Sequence, residues 1–231
     1  MGDLKSEVKK KYAESGYDSL TEREKIILAL SCTERKNKLE KSADKIIDVY
    51  GKLNIACNAD TIFLMKECEI SKKSAVFLTL IAQIRRRCDV IVAEKEPFDI
   101  SENAKKYFTA FLREKKTELA VATAVSKNFH VIQTSVLAYG AFNEVHLPIR
   151  MLVEFALKYE AAYLFVAHCH PEASSFPSAN DILTTKRIKE ALDAVGVRFA
   201  DHIITGVNGA LSLRELEGNS IFDDMPEYHI V

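Results

Sequence analysis

His168-Cys169-His170 is followed, after seven intervening residues that begin with Pro171, by Ser178 and then by Asp181. The apolar run over residues 161–167 that leads into it has the length of a strand. Side chains alternate between faces along a strand, so His168 and His170 share one face and Cys169 points to the other. Two imidazoles and a carboxylate held together are a ligand set that zinc favours. Three protein ligands leave the fourth tetrahedral position to water, the arrangement of a catalytic rather than a structural site. A plainer reading exists beside this one. Ser178-Ala179-Asn180-Asp181 is also a capping box, with the acid at the third helical position of an amphipathic helix. The two readings are compatible, because a capped helix start fixes both side chains at the mouth of the strand.

The elements around these residues follow from periodicity and punctuation. The helix opened by Ser178 is expected to reach about residue 194. Strands are expected over 118–125 and 131–137, as a hairpin turning at Lys127-Asn128, and again over 197–205 and 210–213. Pro148 is expected to start a helix that runs to residue 159. The first ninety or so residues read as short helices. Ser19 or Thr21 caps one, another covers residues 41–50 and ends at Gly51, and a short one covers 60–66. Ser71 caps a longer helix to residue 87, with Val76, Leu78, Leu80, Ile81 and Ile84 inside and Arg85, Arg86 and Arg87 on its last turn. Residues 93–98 read as a linker or edge strand interrupted by Pro97, and Ser101 as the cap of a helix to about residue 115. The fold class is therefore α/β, a helical N-terminal region followed by a mixed β-sheet flanked by helices.

Composition excludes several functions. The 231 residues are 48% hydrophobic, enough for a proper core, and the net charge of −1 gives no global pull towards nucleic acid or anionic membrane. Cys32, Cys57, Cys68, Cys88 and Cys169 are scattered and odd in number, with no CxxC pair, so they read as buried apolar residues rather than disulfides or zinc thiolates. The charged N-terminus lacks the apolar segment of a secretory signal. No apolar run approaches a membrane span. The expected setting is a reducing cytoplasm.

The run VAHCHPEASSFPSANDILTTKRIKEALDAVGVRFADHIITG, residues 166–206, resembles the RadC branch of the JAMM (MPN-plus) family. HxHP, PSxxD, the following Thr, and Asp201-His202-Ile203-Ile204 with Gly206 carry the likeness, which extends loosely from about Ser19 onward. Where RadC proteins usually have Asn between the histidines and Ser-Gly after the proline, Cys169, Glu172 and Ala173 stand here. The resemblance implies a JAB/MPN, cytidine-deaminase-like fold over residues 102–231, a linker at 93–101, and a degenerate helix-hairpin-helix-like domain over residues 1–92. It implies Zn2+ held by His168, His170 and Asp181, with Glu118 as general base at the entry to the first strand of the domain. Glu114 and Glu154 are rival bases on flanking helices. Ser178 would donate to the developing oxyanion. His202 either supports the site from behind or is structural, and His130, His146 and His229 have no partner pattern.

The implied activity is zinc-dependent hydrolysis of a peptide or isopeptide bond. The alternatives are a non-enzymatic DNA-repair or recombination accessory protein and an interaction scaffold with an idle site. In the helix-hairpin-helix-like segment, Glu69 and Ser71 stand where glycines would let backbone amides approach phosphate. Lys72 and Lys73 could still make nonspecific contacts, so nucleic-acid binding is expected to be weak. The expected partners are a peptide or protein substrate and no membrane; the sequence is silent on oligomeric state.

Overall fold

The computed structural model describes residues 4–140, 149–217 and 221–222. His146, His229 and Pro148, named above, lie outside the described residues. The chain divides into two units, Met1–Arg85 and Arg86–Val231.

In the first unit, the charged helix α1 (Leu4–Ser15) buries Val8. Thr21, not Ser19, caps α2 (Glu22–Leu30). Its hydroxyl accepts from Glu24 N, and the Glu24 carboxylate accepts from Thr21 N. α3 (Lys36–Tyr50) starts five residues before the expected 41 and stops at Gly51, whose φ of 71° suits glycine. α4 (Leu53–Cys57) and α5 (Thr61–Glu67, capped by Asp60) follow. Ser71 then receives the amide of Ser74 and so caps α6 (Lys72–Glu94). Helix α6 does not end at residue 87. Residues 88–94 hold no Gly or Pro and continue an inward face through Val90, so Arg85, Arg86 and Arg87 sit mid-helix. Its buried stripe is Ala75, Leu78 and Ala82. Val76, Leu80 and Ile84, expected inside, are exposed, and Ile81 is partly buried.

In the second unit the connection before the sheet is shorter than the expected linker. Ala93 and Glu94 belong to α6, and no strand forms over residues 95–100. Ile100 holds the cap position of α7 (Ser101–Leu112). Ser101 is its first helical residue and spends its hydroxyl on Glu215. The helix stops at Leu112 rather than near 115, and Glu114 just beyond takes a left-handed φ of 60°. The strands β1 (Leu119–Val125) and β2 (Val131–Tyr139) form the expected hairpin. After α8 (Ile149–Lys158) come β3 (Tyr163–Cys169), α9 (Ala179–Asp193), β4 (Arg198–Gly206), β5 (Gly209–Ser212) and the short α10 (Leu213–Glu217). The sheet order is β2-β1-β3-β4-β5. Among the described strands only β3 and β4 are parallel, as their crossover through α9 requires.

β1 and β3 are buried at every position, so helices must cover both faces. One face carries Ala120, Ala122, Ala124, Leu164 and Val166 against Leu152 and Phe155 of α8 and Ile188 and Leu192 of α9. The other carries Val121, Phe165, Ala167 and Cys169 against Tyr107 and Phe108 of α7. A helical region followed by a mixed sheet with helices on both faces is the expected fold class. It brings the C-terminal ends of β3 and β4 to the N-terminus of α9.

Candidate metal centre

Strand alternation places the histidines. Ala167 and Cys169 pack on the α7 face, so His168 between them faces α9, and His170 follows one residue past the end of β3. Asp181 arrives from the opposite side because Ser178 caps α9 in a full capping box. Asp181 Oδ2 accepts from Ser178 N and from Ser178 Oγ, each at 2.7 Å, and Ser178 Oγ accepts from Asp181 N at 3.2 Å. The box thus consumes one carboxylate oxygen. The other, Oδ1, is buried, accepts no hydrogen bond, and lies 3.4 Å from His168 Nε2. The cap and the cluster are one device.

The hydrogen bonds fix where the protons of the cluster lie. The Asp181 carbonyl can only accept, so the Thr185 hydroxyl donates to it, at 2.6 Å. Thr185 Oγ1 then accepts from His202 Nδ1–H, at 2.7 Å. Burial first, and then His168, push His202 well below the usual histidine range, with Asp181 acting the other way. A neutral ring with its proton on Nδ1 carries a lone pair on Nε2, which receives His168 Nδ1–H at 2.9 Å. Burial, then His170, push His168 down to about 3, so its Nε2 also carries a lone pair at neutral pH. On the other arm, His170 Nδ1 donates to the Ser174 carbonyl at 2.8 Å, which in the neutral ring leaves Nε2 with a lone pair. The two Nε2 atoms stand 2.9 Å apart. Two lone pairs and an unsatisfied carboxylate oxygen converge, all within 4.8 Å of one another. Such a set of donors suits a cation. Tetrahedral zinc with bonds of about 2.0–2.1 Å has ligand separations of about 3.3 Å. The residues fit a metal of that size and ligand taste.

The RadC-like JAB domain profile matches residues 98–219, more than half of the chain. This chain belongs to the RadC-like JAB family. It is also similar over most of its length to proteins known as UPF0758. One from Actinobacillus pleuropneumoniae serotype 5b is 25% identical over 213 residues, covering 90% of this chain and 94% of the relative. One from Lactococcus lactis subsp. cremoris is 26% identical, with 88% and 90% covered. One from Legionella pneumophila (strain Philadelphia 1) is 27% identical, with 90% and 92% covered.

In this RadC-like domain, Glu118 stands beside the cluster. Ala120 pairs with His168 in the antiparallel β1–β3 register, which, continued by two residues, sets Glu118 opposite His170. Both line one cavity of about 310 Å³ with Pro171 and Glu172. Glu114 lines a neighbouring cavity with His170 and is ion-paired to Arg86. Glu154 pairs with Arg150 on the exposed side of α8 and lines neither cavity. Cys169 is turned away, as expected, with its thiol near the Thr117 carbonyl. His130 is exposed in the β1–β2 turn. No helix among the described residues is long and apolar enough to cross a membrane.

The loop that holds His170 is held in turn by Gly206. Val207 N donates to Ala173 O at 3.0 Å, and Ser175 N donates to the Asn208 side chain at 2.7 Å. A Cβ on Gly206 would lie 2.4 Å from Ser175 N and 2.6 Å from Ala173 O. Gly206→Ala is therefore expected to push away the loop carrying the Ser174 carbonyl, destabilising the domain by about 1–3 kcal/mol as overpacking does. It should also weaken zinc binding, because His170 loses its hold. Thermal melts and zinc titration of that variant check both, and a wild-type zinc affinity would show that His170 is oriented without the loop. Sequence reasoning named Gly206 and the Thr after PSxxD only as parts of a resemblance, gave that Thr no role, and did not reach Ser174. The signal for Thr185 was its place one helical turn after Asp181.

Proposed function

We propose that this chain is a zinc-dependent hydrolase that cleaves a peptide or isopeptide bond by an activated water. The observation that carries the reading is the meeting of the His168 and His170 Nε2 lone pairs with the unsatisfied Asp181 Oδ1. Those three side chains would hold the ion. Zinc in such a site supplies Lewis acidity and lowers the pKa of water to about 7. Glu118, sharing a cavity with His170, takes the proton of the attacking water and returns it to the leaving amine. Ser178 donates to the developing oxyanion, for which its hydroxyl must turn away from Asp181 Oδ2. It is no nucleophile, since both nearby imidazoles are committed and no base is left to activate it. Of the five cysteines, Cys57, Cys68 and Cys169 are buried as expected, whereas Cys32 and Cys88 are exposed on the surface. The test is to incubate the zinc-loaded chain with peptides from a digested proteome and with isopeptide-linked conjugates. New amino termini that disappear with a chelator support the reading; none in either pool contradicts it.

The alternative, a nucleic-acid-binding accessory protein, needs an anion seat in the first unit, and carboxylates already fill it. Glu69 has the left-handed φ of 54° that a glycine would supply, and its side chain is tied to Lys45 and Lys41. These bonds, Lys45 first, hold its carboxyl down to about 2. Glu34 accepts from Ser71 N at 2.9 Å and Ser74 Oγ at 2.8 Å, at the start of α6. Burial raises its pKa, but the hydrogen bonds outweigh this and hold it below its usual range. The full chain is therefore expected to bind duplex DNA no better than nonspecific proteins do, with Kd of about 10⁻⁴–10⁻⁶ M at physiological salt. Tight, salt-dependent binding lost on replacing Lys72 and Lys73 by Ala would promote the accessory reading instead.

A further inference from the structure

His168 and His202 are both fully buried, yet the chemistry proposed above uses only the first. A buried imidazole that merely filled space could be replaced by an apolar ring. This one instead sits between two directed bonds, 2.9 Å from His168 Nδ1 and 2.7 Å from Thr185 Oγ1. It reaches both because β3 and β4 run parallel, with Val166 paired to His202 and His168 to Ile204. That register sets His202 diagonally behind His168, with ring centroids 4.9 Å apart. Thr185 lies one turn into α9, and its hydroxyl proton is fixed by the Asp181 carbonyl. The chain of donors therefore has one direction only, from His168 through His202 and Thr185 back to the main chain of Asp181.

We infer that Thr185 and His202 are positioning residues that set the tautomer of His168, so that its Nε2 faces the cluster as a lone pair. The relay starts and ends on two members of one ligand set. The peptide carbonyl of Asp181 dictates the proton on one imidazole ligand, while its side chain offers Oδ1 as another. If the Thr185 hydroxyl is removed, His202 is free to carry its proton on Nε2 and donate to His168 Nδ1. His168 must then hold its own proton on Nε2, where it blocks a cation. This rests on the metal reading above, but its test does not depend on turnover.

The test uses the full chain with Thr185→Val, which keeps the shape of the side chain, and Thr185→Ser, which keeps the hydroxyl. Zinc affinity is measured by competition with a chromophoric chelator. Thr185→Val is expected to bind zinc about 10–100-fold more weakly, as the loss of a partner behind a ligand does, and Thr185→Ser close to wild type. Two-bond ¹H–¹⁵N spectra of the metal-free wild type should show His168 protonated on Nδ1, and those of Thr185→Val should show the switch to Nε2. Wild-type zinc affinity in a folded Thr185→Val variant would overturn the inference. If that variant does not fold, His168 found protonated on Nε2 in the metal-free wild type overturns it equally. Failure of the wild type to bind zinc would instead overturn the metal reading and leave the tautomer measurement standing.

Discussion

Replacing His168 by Ala is expected to abolish zinc binding. The wild type offers two imidazole nitrogens and one carboxylate oxygen, and the variant keeps only His170 and Asp181. Two donors from a strand end and a helix start cannot close a tetrahedron. The loss should far exceed the 10–100-fold effect of disturbing a partner behind a ligand. Metal content after dialysis is the measurement, expected to fall from about one zinc per chain to a trace. The variant also leaves His202 Nε2 without its donor in a buried place, which costs about 1–3 kcal/mol. His170→Ala, at the partly buried strand end, is the companion that separates loss of a ligand from loss of fold. Zinc retained at wild-type stoichiometry by both folded variants would remove the histidines from the site.

Replacing Glu118 by Gln is expected to keep the zinc and to cut turnover. Glutamine preserves size and hydrogen-bonding reach but cannot take a proton from water. Glu118 shares a cavity with His170 yet is not among the three groups whose atoms converge, so zinc stoichiometry should be unchanged. Hydrolysis of any substrate found should fall by about 10²–10⁴-fold, the usual worth of a general base. Zinc lost from the variant would make Glu118 a ligand. Full activity would move the base elsewhere. Glu114 is then the next candidate, because it lines the adjoining cavity with His170, although its pairing with Arg86 draws it to another task. Glu154 is the weaker one, since it lines neither cavity.

The parts of the site that obey short periods were legible from the residues alone. His168 and His170 share a face because the strand period is two, and Ser178 and Asp181 are joined because a capping box spans three residues. Glu118 was found through resemblance, and the antiparallel register of β1 and β3 gives the physical reason for its position opposite His170. What stayed open, as for His202, or hidden, as for Ser174, depends on pairings between distant segments. His202 reaches His168 only through the parallel β3–β4 register, and Ser174 reaches His170 only because Gly206 lets the loop descend onto β4. Helix α6 misled for a related reason. Its residues after Arg87 lack any stop signal, and which of its apolar residues turn inward is decided by neighbours rather than by hydrophobicity. Leu78 is buried while Leu80 is not.

X-ray absorption at the zinc edge, on protein purified without added metal, tests the metal centre most directly. The expected spectrum is that of a four-coordinate ion with two imidazole nitrogens and two oxygens, at about 2.0–2.2 Å and with no sulfur. Zinc–sulfur scattering at about 2.3 Å would put a cysteine in the first coordination sphere and contradict the assignment of His168, His170 and Asp181.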